Sequence, residues 1–115
     1  MRVLIVDDHP SFRASARKLL ESEGYEVVGE AADGAGALAA AAELHPEVVL
    51  LDIQLPDIDG FEVSQRLGEL ESAPEVILTS SRDCADYGSC VEKSGARGFV
   101  PKAELSGAVL TTLLG

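Results

Sequence analysis

Four consecutive apolar residues, Val48 to Leu51, run directly into an acid, Asp52, in the segment VVLLDIQLPDIDG. An unbroken aliphatic run is typical of a parallel strand that is buried on both faces. Because the burial of an unpaired carboxylate is costly, the fold must bring Asp52 out at an edge of the sheet or neutralise its charge there. Either arrangement predicts a polar site at the end of this strand.

Short apolar runs alternate with segments of helical spacing along the chain. The predicted strands are 3–6, 26–30, 47–52, 75–79 and 97–100. The predicted helices are 10–23, 35–44, 60–70, 83–94 and 105–112, with a turn at Asp33 and Gly34. Strands that alternate with helices pair in parallel through right-handed crossovers. The pattern therefore predicts a single three-layer α/β domain over residues 1–115.

The composition limits the kinds of partner that this domain can bind. Nine Lys and Arg against twenty Asp and Glu give a formal net charge of −11, which nucleic acid and anionic membranes repel. No apolar run approaches the roughly 20 residues that span a bilayer, and the start MRVLIVDD does not read as a signal peptide. Cys84 and Cys90 lack the spacing and the second pair of a zinc site, which favours free thiols. We expect a cytoplasmic domain that contacts neither DNA nor membranes directly.

Polar side chains follow the predicted strands at their carboxyl ends, which meet at one edge of a parallel sheet. They are Asp7 and Asp8 after the first strand, Asp52 after the third, Thr79 and Ser80 after the fourth, and Lys102 near the end of the fifth. If the strand order is 2-1-3-4-5, the three aspartates lie where the order reverses. Close carboxylates repel by up to ~4 kcal/mol per pair at an effective dielectric of about 20, and Mg²⁺ offsets more of this charge than a lysine does. The sequence thus predicts a phosphate-handling metal site with a candidate carboxylate nucleophile.

Four segments, VLIVDDHPSFR, VVLLDIQLPDIDGFEV, VILTSS and GARGFVPK, resemble the receiver domain of two-component response regulators in order, spacing and residue type. The resemblance covers essentially the whole chain. The opening DDHPSFR is similar to the NarL/FixJ-like subgroup, whose members usually carry a helix-turn-helix DNA-binding domain. The resemblance implies a flavodoxin-like, CheY-like (βα)5 fold with strand order 2-1-3-4-5. It also implies a phosphorylation switch that controls transcription through a C-terminal output domain not included in this sequence.

Carried over by position, the resemblance implies a phosphoryl site built on acids. Asp52 is the expected phospho-acceptor, which takes the phosphoryl group of a sensor histidine kinase. Asp8 and Asp52 are expected to ligate Mg²⁺ together with the backbone carbonyl of Gln54. Asp7 is expected to contribute to the metal site largely through water.

The same resemblance implies a set of switch residues. Lys102 is expected to pair with Asp52 and then with the phosphoryl oxygens, while Thr79 hydrogen-bonds the phosphoryl group. Phe99 is expected to reorient in response, by ring packing alone, since it lacks the hydroxyl of the tyrosine that the family often has. The changed surface would comprise the fourth helix, the fifth strand and the fifth helix, and a homodimer on activation is compatible with it. Ser80 is interpreted as a small residue, and His9 as a loop residue that shapes the turn before Pro10.

Two other classes of protein fit parts of this pattern. A small aspartyl-phosphate phosphatase would place a second acid two residues after its nucleophile, where this chain has Gln54. We therefore expect no enzyme activity beyond slow self-dephosphorylation. The alternative is a pseudo-receiver, a phosphorylation-independent interaction module of the same fold, because intact residues do not prove their use.

Overall fold

The computed structural model describes residues 1–81 and 94–114 of the chain. Its strands form one parallel sheet in the order β2-β1-β3-β4-β5. They are β1 (Arg2–Val6), β2 (Glu26–Ala31), β3 (Val48–Asp52), β4 (Glu75–Ser80) and β5 (Gly98–Pro101). The described α-helices are α1 (Pro10–Ser22), α2 (Gly34–Leu44), α3 (Gly60–Gly68) and α4 (Gly107–Leu114), and a 3₁₀ turn, Lys102–Glu104, precedes α4. The predicted three-layer α/β fold and its strand order are confirmed.

The apolar run of β3 divides its side chains between two cores. Val49 and Leu51 belong to the cluster that contains the buried residues of α2 and α3. Val48 and Leu50 belong to the cluster that contains those of α1 and α4. Because successive side chains of a strand point to opposite faces, a strand covered on both faces needs apolar residues at every position. All five residues of β3 are buried, including the terminal acid Asp52.

Several element ends differ from the sequence prediction. Helix α2 begins at Gly34, because the Asp33 side chain accepts a hydrogen bond from the Gly36 N–H (2.6 Å) as an N-cap. Helix α3 ends at Gly68, two residues before its predicted end, and Glu69 is its C-cap residue. The last helix begins at Gly107 and not at Leu105, because Leu105 is extended after the 3₁₀ turn and the Ser106 side chain accepts a hydrogen bond from the Val109 N–H. Strand β5 is shifted by one residue, to Gly98–Pro101.

Some sequence predictions concern residues that the structure does not describe. The predicted helix 83–94 lies outside the described residues except at Ser94, and so do Cys84 and Cys90. Among the described helices, none has the length and apolar character needed to cross a lipid bilayer.

Candidate functional site

The candidate site lies at the carboxyl ends of β1, β3 and β4. Asp52, the last residue of β3, pairs in register with Thr79 of β4. Asp7 directly follows β1, and its N–H donates to the Ala31 carbonyl of β2 (3.0 Å). Asp7, Asp52 and Thr79 are at most 1 % exposed, whereas Asp8 is exposed. The sheet register therefore brings one hydroxyl and two buried carboxylates to the same edge, as the sequence predicted.

The acids at this edge form one cluster. Asp7, Asp8, Asp52 and His9 each offer one potential ligand atom, and these four atoms lie within 4.8 Å of one another. Carboxylate oxygens at this spacing suit a hard divalent cation such as Mg²⁺, which prefers oxygen ligands at about 2.1 Å. The donor set of the cluster therefore fits a divalent metal ion.

Lys102 reaches the cluster from the 3₁₀ turn after β5. Its Nζ lies 2.6 Å from Asp7 Oδ2 and 3.4 Å from Asp52 Oδ2. The ammonium also lies 4.6 Å from the centroid of the Phe12 ring, a cation–π distance. The predicted contact with Asp52 is present, but the shorter contact is with Asp7, which the sequence analysis did not anticipate. One ammonium group thus contacts two buried carboxylates.

Burial and the neighbouring charges shift the pKa values of Asp52 and Lys102. Burial raises the pKa of Asp52, and the charge of Asp7 acts in the same direction; the Gln54 N–H and Lys102 only partly oppose this. Burial by itself lowers the pKa of Lys102, but its hydrogen bond to Asp7 and the charges of both acids outweigh burial and raise it. Lys102 therefore stays cationic at neutral pH, whereas the surroundings of Asp52 disfavour its negatively charged form. A bound cation would relieve that cost.

Thr79 provides an uncommitted hydroxyl beside these acids. Its Oγ1 is buried and has no hydrogen-bond partner among the described residues. Nearly all buried polar side-chain atoms in folded proteins are hydrogen-bonded, so an exception calls for an explanation. A group that binds at Asp52 from outside the chain could provide the missing partner, because Thr79 and Asp52 are adjacent across the sheet.

The remaining predicted residues lie beside the cluster. The Gln54 N–H donates to Asp52 Oδ1 (3.1 Å), so the Gln54 backbone is held against the acid. Phe99 lies on β5, where it pairs in register with Leu78 of β4, and it lines a surface groove with Val109 and Leu113 of α4. Ser80 is buried at the end of β4.

The sequence analysis did not predict two contacts of the site. The guanidinium of Arg13 donates to the backbone carbonyl of Asp7 and binds Glu30 (Nε to Oε1, 3.1 Å), which ties α1 to the ends of β1 and β2. The ring Nδ1 of His9 lies 3.0 Å from an oxygen of Asp7 and 3.0 Å from an oxygen of Asp8. The only sequence signal for the second contact is that His9 follows the acid pair directly.

Asp57 fixes the loop between β3 and α3, which carries Gln54. Its carboxylate accepts from the N–H groups of Gly34 (2.7 Å) and Ala35 (2.9 Å) at the start of α2. The start of a helix favours negative charge, and these hydrogen bonds lower the pKa of Asp57. Asp57 therefore holds this loop against the start of α2, although Asp57 and Gly34 are 23 positions apart in the sequence.

We expect the Asp57→Ala variant to be less stable than the wild type at pH 7. A carboxyl with a lowered pKa in the folded state stabilises the fold above its unfolded pKa of about 3.9, and this contribution is lost as the pH falls through the lowered value. Urea unfolding of both proteins between pH 7 and pH 2 measures the difference, which should narrow in acid. A difference that does not change with pH would contradict this role of the charge.

Comparison with known proteins gives consistent matches to this architecture. Residues 3–113 match the family model described as response regulator receiver domain. Over 103 residues the chain is 43% identical to a putative transcriptional regulator of Pseudomonas aeruginosa, covering 90% of this chain and 50% of that protein. It is 42% identical to the virulence factors putative positive transcription regulator BvgA of Bordetella pertussis, again covering 90% of this chain and 49% of the relative. The chain thus spans about half the length of the curated relatives it matches.

A solved structure agrees with the sequence comparisons. The signal receiver domain of the putative response regulator NarL from Mycobacterium tuberculosis superposes with a TM-score of 0.85 at 38% identity. The match covers 99% of this chain and 96% of that one. The likeness therefore extends over the whole sheet and its helices, including the edge that carries the acids.

Proposed function

Because this chain belongs to the response regulator receiver family, we propose that Asp52 is the phospho-acceptor of the chain. Members of this family are phosphorylation-dependent signalling modules, and the relatives of this chain include transcription regulators. In this proposal a carboxylate oxygen of Asp52 attacks the phosphorus of a sensor kinase's phosphohistidine. The phosphorus–nitrogen bond breaks as the phosphorus–oxygen bond to Asp52 forms, and the departing imidazole takes a proton from solvent. The product is an aspartyl phosphate at the end of β3.

The position of Asp52 is the observation that carries this proposal. Asp52 ends the central strand, it is 1 % exposed, and its Oδ2 faces the ammonium of Lys102. The phosphoryl group requires an in-line approach and neutralisation of its oxygens, both of which positioned charges can provide. Among the clustered acids, Asp52 alone ends a strand beside Thr79, whose buried hydroxyl has no described partner.

The acidic cluster supports a Mg²⁺ requirement for this step. Asp8, Asp52 and the Gln54 backbone carbonyl would hold the ion directly, and Asp7 would contribute through water. When bound, Mg²⁺ neutralises charge on the acids and on the incoming phosphoryl oxygens. Asp7 meanwhile keeps Lys102 in place through their 2.6 Å contact.

The other residues of the site would act as the switch. Lys102, already shared between Asp7 and Asp52, would also pair with the phosphoryl oxygens. The Thr79 hydroxyl would gain an acceptor in the phosphoryl group, which moves its strand end inwards. Phe99 would then repack against α4. The responding surface would comprise β5, α4 and the predicted helix 83–94, which lies outside the described residues.

In a longer protein this switch would control transcription. The matched relatives are about twice as long as the matched region, and both are described as transcription regulators. We extend the proposal accordingly to a cytoplasmic regulator whose DNA contacts belong to a C-terminal output domain and whose activation can involve a homodimer. With Gln54 in place of a second acid, the domain itself should show at most slow self-dephosphorylation.

The direct test of this function is chemical phosphorylation of the purified chain. With acetyl phosphate and Mg²⁺, we expect intact mass spectrometry to show a single phosphoryl addition, and EDTA should reduce it to background. Absence of any addition with acetyl phosphate or with a phosphorylated histidine kinase would favour the pseudo-receiver alternative. Rapid turnover of a general phosphate monoester would favour a phosphatase instead.

A further inference from the structure

The side chain of His9 contacts the acidic cluster and does not cap the helix that follows it. His9 is the N-cap residue of α1, yet its ring makes no capping hydrogen bond to that helix. N-cap positions favour Ser, Thr, Asp or Asn because their side chains accept hydrogen bonds from the first helical N–H groups. The imidazole instead places Nδ1 3.0 Å from Asp7 Oδ1 and 3.0 Å from Asp8 Oδ1.

The distance from His9 Nδ1 to Asp8 Oδ1 matches that between two ligands of one metal ion, and Asp8 is a direct ligand in the proposed site. Two ligand atoms in adjacent positions around an octahedral ion, each about 2.1 Å from it, lie about 3.0 Å apart. The backbone at His9 is also held beside the cluster, because the His9 backbone N–H donates to Asp7 Oδ1 (2.8 Å) and Pro10 starts α1 immediately after it. The ring Nδ1 can therefore hydrogen-bond to the acids in the absence of an ion and turn towards an ion that Asp8 holds.

We propose that Nδ1 of His9 is an additional ligand of the cluster and makes it favour first-row divalent transition ions over Mg²⁺. Imidazole nitrogen binds such ions well and binds Mg²⁺ poorly, and the affinity of a mixed nitrogen and oxygen site rises from Mn²⁺ onwards along the first row. Nδ1 lies equally close to the buried Asp7 and the exposed Asp8, and the 64% exposure of the His9 side chain leaves solvent access for the remaining ligands. This inference rests on the metal site of the proposed function and deepens it.

The test compares Mn²⁺ and Mg²⁺ binding by the full chain and its His9→Ala variant. Mn²⁺ is the probe because the amplitude of its free-ion paramagnetic resonance signal gives the affinity, while Mg²⁺ affinity follows from competition against it. We expect His9→Ala to weaken Mn²⁺ binding roughly tenfold or more and to change Mg²⁺ binding by about twofold at most. A pulsed resonance spectrum of the Mn²⁺ complex should show coupling to an imidazole nitrogen in the wild type and lose it in the variant.

Two further variants control for folding and for unspecific effects. His9→Phe keeps a ring of similar size without the nitrogen and should reproduce the effects of His9→Ala. His45→Asn changes the second of the chain's two histidines, which lies at the end of α2 with a φ of 49° that asparagine tolerates. It should leave both affinities and the nitrogen coupling unchanged.

The possible results separate this inference from the proposed function. Equal changes in Mn²⁺ and Mg²⁺ affinity, or a wild-type complex without nitrogen coupling, would overturn the role of His9 even if Asp52 is phosphorylated normally. Failure of the wild type to bind either ion or to accept a phosphoryl group would instead count against the proposed function.

Discussion

In the Asp52→Asn variant we expect no phosphoryl addition from acetyl phosphate and Mg²⁺, whereas the fold persists. Asparagine has the size of aspartate but is a far weaker nucleophile, so the acceptor is lost without a cavity. Because burial raises the pKa of Asp52, its charge opposes folding at neutral pH, and the neutral amide removes that cost. The variant should therefore be at least as stable as the wild type at pH 7, as measured by urea unfolding alongside intact mass.

A matched control for this substitution is Asp33→Asn. Asp33 also follows a strand of the sheet, but its carboxylate caps α2 through the Gly36 N–H. Asparagine caps helices about as well as aspartate, so stability and phosphorylation should both remain close to the wild type. If Asp33→Asn lost the phosphoryl addition as Asp52→Asn does, the assignment of Asp52 as acceptor would be wrong.

The Gly60→Ala substitution is expected to destabilise the fold by about 3 kcal/mol, as forced overpacking against rigid atoms does at the upper end of its usual range. A Cβ at Gly60 would lie 2.5 Å from the carbonyl oxygen of Asp52 and 2.6 Å from the Cα of Ile53. Both are backbone atoms, and the Gly60 N–H already donates to the Ile53 carbonyl (2.7 Å). Relief of the clash must therefore move the start of α3 or the end of β3.

Gly68, at the other end of the same helix, provides the comparison. A Cβ there meets no described atom within 4 Å, and alanine is a better helix former than glycine by about 1 kcal/mol. Gly68→Ala should thus be neutral or slightly stabilising in urea unfolding. Similar losses of stability in the two variants would show that the close approach at Gly60 is not the cause.

The sequence was sufficient for the sheet because its signals are local. Each strand is a short apolar run, and β3 is apolar at every position before Asp52 because both of its faces are covered. Parallel pairing then requires the acids after β1 and β3 to meet at one edge. Convergence of Asp7, Asp8, Asp52 and Lys102 could therefore be predicted without any knowledge of side-chain contacts.

The contacts that sequence reasoning missed are those between distant or irregular segments. Asp57 binds the start of α2 across the loop, and no periodic pattern links the two. Lys102 lies closer to Asp7 than to Asp52, a preference that depends on where the turn after β5 places its side chain. Helix caps also account for the differences between prediction and structure at the start of α2 and the end of α3, because a single side chain or N–H group decides where a helix begins or ends.

The most direct measurement of the central claim is the position of the phosphoryl group on the wild-type chain. After incubation with acetyl phosphate and Mg²⁺, borohydride reduces an aspartyl phosphate to the corresponding alcohol, which peptide mass spectrometry locates in the sequence. We predict that this reduced residue occurs at position 52 alone. Reduction at Asp7 or Asp8, or at no aspartate of a chain that has gained the phosphoryl mass, would contradict the proposal.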